Sequence, residues 1–445
     1  MISTFTASSY VNRVQESWQP GYGVTQLSQT ASPTLYFDFL TGTLNPSITF
    51  TRASTASYFD SSGVLQSAAI NDPRFDYNPS TLAAQGLLIE EARTNSIRNN
   101  TMVGAVAGTP GTLPTNWAVV GLGLGTLVQT VVGTGTINGI SYIDIKVTGT
   151  ISTAGFNYAF EPSTGGPAAS LGQTWTGSTY VAIVGGNTTN ITSIRCVSSI
   201  ERNSVGGVVG SGFNSGDNKA TLTSTLQRFS ASGTLTGATT VSVQPTVALS
   251  LGTGVIGDPV DGITLRIGLP QLELGAFATS VIPTTTAALT RSADQASVNT
   301  LAPWFNSAAG TLFAEFSIPA STASRSQATF GDGTANERMI ISNNTSLTGT
   351  GWRIVDGGVD QADINNAGSF ANNATVKVAG AYAVNDFATS QNGGAVGTDT
   401  SGALPTVTAL YLGSNGAAQY ASAYLRRITY YPRRLSNAEL QAITT

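Results

Sequence analysis

Side chains able to do covalent or acid–base chemistry are scarce in this chain of 445 residues. There is no histidine, which removes the commonest general base and the commonest zinc ligand. Ser-His-Asp and Cys-His nucleophile arrangements therefore cannot be assembled within it. The single cysteine, Cys196, excludes an intrachain disulfide framework. Its apolar, β-branched setting, "ITSIRCVSSI", reads as a strand carrying a small buried hydrophobe rather than a reactive thiol. What remains is carboxylates and guanidiniums, and they gather in one place. "GLLIEEARTN", residues 86–95, sets Glu90, Glu91, Arg93 and Asn95 directly behind an apolar run. Adjacent carboxylates on a strand point to opposite faces, so Glu90 and Glu91 cannot work as an acid/base pair with each other. The expectation is a structural ion-pair cluster with Arg52, Arg74 or Arg93, because arginine holds a carboxylate through two parallel hydrogen bonds and fixes backbone where apolar contacts are few.

The other candidates are weaker. Glycan hydrolysis usually needs two carboxylates roughly 5–9 Å apart on facing strands. "FAEFSI" offers only Glu315, and Asp356, Asp360 and Asp363 fall on the turn-like "DGGVDQAD", so no catalytic residue is assigned. Asp258 and Asp261 in "GDPVDG" and Asp332 in "GDGTANE" are the metal candidates. Asp at such turns more often caps backbone N–H groups; a structural calcium is the alternative, and no other cofactor is expected. The glycine clusters lack the lysine and following helix of a phosphate loop. Pyranose rings are held on exposed aromatic faces flanked by amides and carboxylates, which makes Trp304, Trp352, Tyr420 and Trp175 the ligand-binding candidates. In a chain so poor in large side chains, aromatics of this kind are more often core residues than ligand platforms. Arg426, Arg427, Arg433 and Arg434 would meet an acidic ligand or a neighbouring subunit, or form a solvated strand face.

The elements that must carry these residues follow from composition and period. Charged residues are 10%, hydrophobic ones 41%, and glycine numbers 50, so folding rests on buried surface and backbone pairing, with turns joining short strands. The net charge of -4 leaves no phosphate-binding face, and nucleic acid is not an expected partner. No run approaches ~18 uninterrupted apolar residues, and the N-terminus lacks the basic-then-apolar order of a signal peptide. A soluble chain made in the cytoplasm, without membrane insertion, is expected. Residues 1–34 carry Trp18 and Tyr22 without a sustained period and read as an attachment arm whose aromatics dock on a partner. From residue 35 apolar and polar residues alternate between Gly, Asn, Pro and Ser, the pattern of antiparallel strands with one wet face. Asp60-Ser61-Ser62-Gly63 can close a hairpin, and Ser436 with Glu439 makes a capping box with Leu435 and Leu440 at the staple positions. The predicted fold is all-β and multi-domain: arm 1–34, a small β anchoring module 35–99, a β-sandwich of jelly-roll type 100–283, a linker 284–297 and a second sandwich 298–445.

Three stretches carry a family resemblance. "ITFTRASTASYFDSSGVLQSAAINDPRFDY" followed by "GLLIEEARTN" resembles an N-terminal module of many tailed-bacteriophage virion proteins, namely tail fibres, head spikes and head fibres. "LPQLELGAFATSVIPT" resembles the last strand of carbohydrate-binding-module-like jelly rolls in phage tail proteins. The closing "YLRRITYYPRRLSNAELQAITT" resembles the end of concanavalin A-like and laminin-G-like lectin sandwiches. The resemblance implies a non-enzymatic bacteriophage virion structural protein, a fibre or spike binding host-surface glycan. Its expected partners are other virion proteins of tail, baseplate or capsid and host cell-surface polysaccharide, with a homotrimeric assembly and a place in the virion after assembly in the host cytoplasm. The alternatives it leaves open are a capsid head fibre or decoration protein with a purely structural role, and a polysaccharide-degrading tailspike.

Overall fold

The computed structural model describes residues 32–121, 127–151, 154–252, 259–319, 323–416 and 419–445, with the backbone alone at 259–261. Residues 33–445 form one compact unit, built almost wholly from strands. The expected all-β, multi-sheet sandwich architecture is what the chain adopts.

Two five-stranded sheets lie within residues 118–274. One runs in the order 227–234, 174–185, 259–274, 140–150, 128–137; the other runs 208–210, 191–202, 242–251, 155–159, 118–120. Alternation gives each strand one inward face. Ile143, Ile145, Val147, Val181 and Leu265 from the first sheet meet Phe156, Ile194, Cys196, Val247 and Leu249 from the second in one core. Burial pushes the Cys196 thiol up, as suits an inert core residue. Strands 128–137 and 140–150 are joined by Asn138-Gly139, both at positive φ (48° and 76°), a two-residue turn whose twist matches that of the strands.

The larger sandwich is stitched from both ends of the chain. Its first sheet places 397–399, 386–391, 375–383, 309–317, 423–431, 84–89 and 75–77 side by side, with 35–38 also paired to 423–431. Its second runs 49–51, 295–298, 409–412, 325–331, 338–343, 349–356, 359–367. Trp352 is fully enclosed between the two layers, and its indole N–H donates to the Ala381 carbonyl (3.2 Å). Gly380 is required beneath it, because a Cβ there would run into the indole ring. The helix Asn437–Thr444 closes the sandwich. Ser436 accepts from the Glu439 N–H while the Glu439 carboxylate accepts from the Ser436 N–H, and Leu435 and Leu440 are both buried.

The expected domain boundaries differ from this arrangement. Residues 35–99 are not a module apart, 284–297 is not a free linker, and 298–445 does not close a sandwich alone. Leu87 and Ile89 bury into the core made by Leu312, Phe316 and Leu425, and Leu87 pairs with Leu425 across the sheet. Residues 295–297 pair with 49–51, and 289–291 pair with 93–95. A strand with two apolar faces needs a sheet on one side and cover on the other, and only the chain's distant half supplies both. The 118–274 region is thus inserted into a sandwich formed by what precedes and follows it.

Candidate functional site

The chain crosses between the two sandwiches at 90–100 and again at 280–294, and the buried Glu90, Arg93, Arg291 and Asp294 lie on these crossings. Strand Ala84–Ile89 delivers Glu90 inward at its end. Glu90 Oε2 accepts from Arg74 Nη1 and meets Arg291 Nη1, both at 2.8 Å, and the Ser280 N–H and Oγ donate to its two oxygens at 2.8 and 2.7 Å. Asp294 accepts from Arg52 Nη1 at 3.0 Å, from Arg74 Nη2 at 2.5 Å and from the Glu90 N–H at 2.9 Å. Arg52, Arg74, Arg291 and Asp294 are at most 1% exposed. Burial alone would raise the Glu90 carboxyl, but Arg291, Arg74 and the Ser280 donors overrule it and bring it down to about 2.

Glu91 faces the other way. Its Oε1 accepts from Arg93 Nε at 2.7 Å and its Oε2 meets Arg325 at 3.3 Å, while the Arg93 guanidinium covers the Phe277 ring at 4.7 Å. The five residues expected as one cluster thus fall into two ion-pair groups, Arg52 and Arg74 with Glu90 on one side and Glu91 with Arg93 on the other, and Arg52 pairs with Asp294 rather than with a glutamate. Asp294, Arg291, Ser280 and Arg325 are members that sequence reasoning missed. The available signal was that Arg291 and Asp294 are the only charged residues of the supposed linker.

Beside this network lies a cleft of about 860 Å³ walled by all three stretches of chain. Ser57–Phe59, Asn78 and Gln85 come from the N-terminal stretch; Asn138, Tyr180, Gln227, Arg228, Arg266 and Phe277 come from the inserted sandwich; Ser422 and Tyr424 come from the C-terminal one. Its size and its mixture of aromatic rings, amides and few charges are those of a small-ligand site. Two carboxylates border it, Glu90 and Asp76. Asp76 is 5% exposed; its Oδ1 accepts from the Phe59 N–H at 2.6 Å and its Oδ2 from the Tyr424 hydroxyl at 3.0 Å. Burial dominates these donors and holds the Asp76 carboxyl up at about 6, and it drives the Tyr424 phenol well above its ordinary range.

The remaining sequence candidates lie elsewhere. Trp352 and Trp175 are 0% and 5% exposed core residues, a correction to their expected role, since a ligand needs an open ring face and packing has covered both. Trp304 is half-buried in an aromatic cluster with Tyr430 and Phe330, at centroid distances of 5.3 and 6.0 Å, and Tyr420 is half-buried with its hydroxyl 3.3 Å from Gln295 Nε2. Asp332 accepts from the Thr334 N–H at 2.7 Å, the turn-capping role. Asp258 and the Asp261 side chain lie outside the described residues, as do Trp18 and Tyr22. Among the described residues no group of three His, Cys, Asp or Glu could hold a metal ion. The C-terminal arginines are paired: Arg426 and Arg427 with Glu315, Arg433 with Glu439, Arg434 with Asp386.

No protein-family model and no curated protein sequence matches the chain. Solved structures similar to part of it include the CBM40 module of a Ruminococcus gnavus IT-sialidase bound to α2,3-sialyllactose, at 20% identity and TM-score 0.28, covering 31% of this chain and 83% of that one. The NanB sialidase of Streptococcus pneumoniae is similar at 13% identity and TM-score 0.28, over 31% of this chain and 24% of its own. A SAP-like pentraxin of Limulus polyphemus is similar at 10% identity and TM-score 0.25, over 32% of this chain and 73% of its own.

Proposed function

We propose that the chain is a non-enzymatic bacteriophage virion protein, a fibre or spike displayed on the particle, that binds host-surface glycan in the cleft at the junction of its two sandwiches. The cleft carries this reading. It has the volume for a saccharide of a few rings, the amides of Asn78, Gln85 and Gln227 along its wall for hydroxyl groups, and the rings of Tyr58, Phe59 and Phe277 for the sugar's C–H faces. The likeness of residues 35–98 to phage fibre modules supplies the virion context, and homotrimeric assembly with other virion proteins belongs to the same reading.

Binding is favoured over hydrolysis by the state of the two carboxylates. A glycosidase sets a protonated acid against an ionised base or nucleophile, and Asp76 at about 6 with Glu90 at about 2 has that split. Neither is available to a substrate, however. Every Glu90 oxygen is engaged by Ser280, Arg74 or Arg291, and both Asp76 oxygens accept bonds from within the fold. The test has two parts. Electron microscopy of particles carrying the labelled protein places it on head or tail, and normal incorporation of a variant lacking residues 1–34 would defeat the attachment arm. Purified protein is retained by host cell-surface polysaccharide without releasing reducing ends, and Gln227→Trp, which fills the cleft, abolishes retention. Retention unchanged by that substitution would remove the cleft from the reading.

A further inference from the structure

Resting on the glycan-binding reading, we infer that the cleft selects a carboxylate-bearing saccharide and that Arg228 is the residue that meets the acid group. Arg228 lies on strand Gln227–Thr234, at the edge of its sheet, beside Tyr180. Its Nη2 donates to the Ser178 hydroxyl at 2.9 Å and the Thr279 carbonyl at 2.8 Å, which fixes the plane of the guanidinium. Its Nε is buried with no acceptor, Nη1 has none either, and no carboxylate stands within ion-pair distance among the described residues.

The other guanidiniums at this junction differ. Arg266 on the cleft wall gives Nε and Nη2 to the two oxygens of Asp144, both at 2.8 Å, and lies over Tyr142 at 3.8 Å. Arg74 and Arg291, behind the wall, are matched by Glu90 and Asp294. Arg74 and Arg291 also keep a buried Nε without an acceptor, so what sets the half-buried Arg228 apart is that it alone among them has no carboxylate partner among the described residues. An arriving carboxylate supplies the missing counter-charge and accepts a charge-assisted hydrogen bond from Nη1, the terminal nitrogen not engaged by Ser178 or Thr279. A neutral sugar hydroxyl gains less from the same cation. Aromatic rings and amides of the cleft then hold the pyranose around the anchored acid.

The test uses the full chain, tetragalacturonic acid and its methyl ester, which share a backbone and differ in charge, with affinity read by calorimetry. The acid binds at least about tenfold more tightly than the ester, and Arg228→Gln lowers affinity for the acid by about tenfold or more while leaving the ester and the melting temperature unchanged. Arg228→Lys restores part of the loss, because charge returns without the planar fork. Equal affinity for acid and ester, failure of the acid to bind, or an Arg228→Gln variant that binds the acid as the wild type does would each overturn the inference. Retention on host polysaccharide that Gln227→Trp abolishes and Arg228→Gln leaves intact would overturn this inference and preserve the glycan-binding reading; loss of all retention by the wild type would end both.

Discussion

The inserted sandwich and the sandwich that surrounds it solve the same packing problem from different chain geometries. Residues 118–274 supply both sheets of the inner one, and its core is drawn from residues 97–272. The outer one takes strands from 35–89 and from 295–431, so that more than two hundred intervening residues must be bridged before Leu87 can reach Leu425. Closing so long a loop costs conformational entropy before any contact is made. A network of buried arginines and carboxylates lies where that closure is fixed, at Arg52, Arg74, Glu90, Arg291 and Asp294, while the buried carboxylates of the inner sandwich are held separately: Glu201 by the Thr236 and Gly237 N–H groups and the Thr240 hydroxyl, Glu161 by Arg98, and Asp144 by Arg266. The difference is one of placement: the contiguous sandwich holds its buried charges within its own stretch of chain, whereas the discontinuous one joins the chain's two distant halves through directional charge pairs.

Cutting the chain tests this most severely. A fragment of residues 96–285 is expected to give a β-type circular-dichroism spectrum and a cooperative melt, while residues 298–445 alone, deprived of strands 35–38, 49–51 and 84–89, remain unfolded or aggregate. A folded, monomeric 298–445 would break the comparison. Next in size is Asp294→Ala, which strands two buried guanidiniums and costs roughly 3–5 kcal/mol by denaturant unfolding, against at most ~1 kcal/mol for Asp386→Ala in the exposed pair with Arg434. Similar losses at both sites would show that the buried network adds nothing special.

The two carboxylates of the junction give opposite pH responses. Glu90 is held below its ordinary 4.5, at about 2, so its stabilisation is complete above pH 4.5 and is lost as pH falls toward 2. Asp76 is held above its ordinary 3.8, at about 6, so folding takes up a proton between those values and stability declines as pH rises through that window. Asp76→Asn should therefore match the wild type at pH 4 and exceed it at pH 8, by up to roughly 3 kcal/mol. A gap that is the same at both pH values would assign the effect to packing. The smallest effect is expected from Ser436→Ala, at about 1 kcal/mol, seen as weaker protection of the C-terminal helix in hydrogen exchange with the inner sandwich unaffected.

Much of this was readable from local pattern. The hairpin at Asp60–Gly63 forms as expected, with the Gly63 N–H on the Asp60 carbonyl at 2.9 Å, and the capping box at Ser436 needs only residues three apart. Two further tight turns, Asn138-Gly139 and Gly357-Gly358, carry the same local signal of paired residues at positive φ between pairing strands. The inward partners of Glu90 were legible as a class, arginine, but not as individuals. Asp294 and Arg291 stand about two hundred positions away, and strand periodicity says which face a side chain takes, never which strand lies opposite. The cleft was hidden for the same reason, since Arg228 and Tyr424 meet only once the insertion has folded back. Trp352 and Trp175 misled because an aromatic residue in an alternating strand looks the same from the sequence whether its face is covered or open.

The inserted sandwich begins and ends at neighbouring points: the Asn100 N–H donates to Thr284 Oγ1 at 3.1 Å and the Thr284 N–H returns a bond to Asn100 Oδ1 at 2.7 Å. To the framework around it, the whole segment is geometrically equivalent to a short surface loop. Such a cartridge can be exchanged for another of different specificity with no strand of the framework changing its neighbour. One wall of the cleft would then be rewritten while the opposite wall, with Asp76 and Tyr424, stayed as it is.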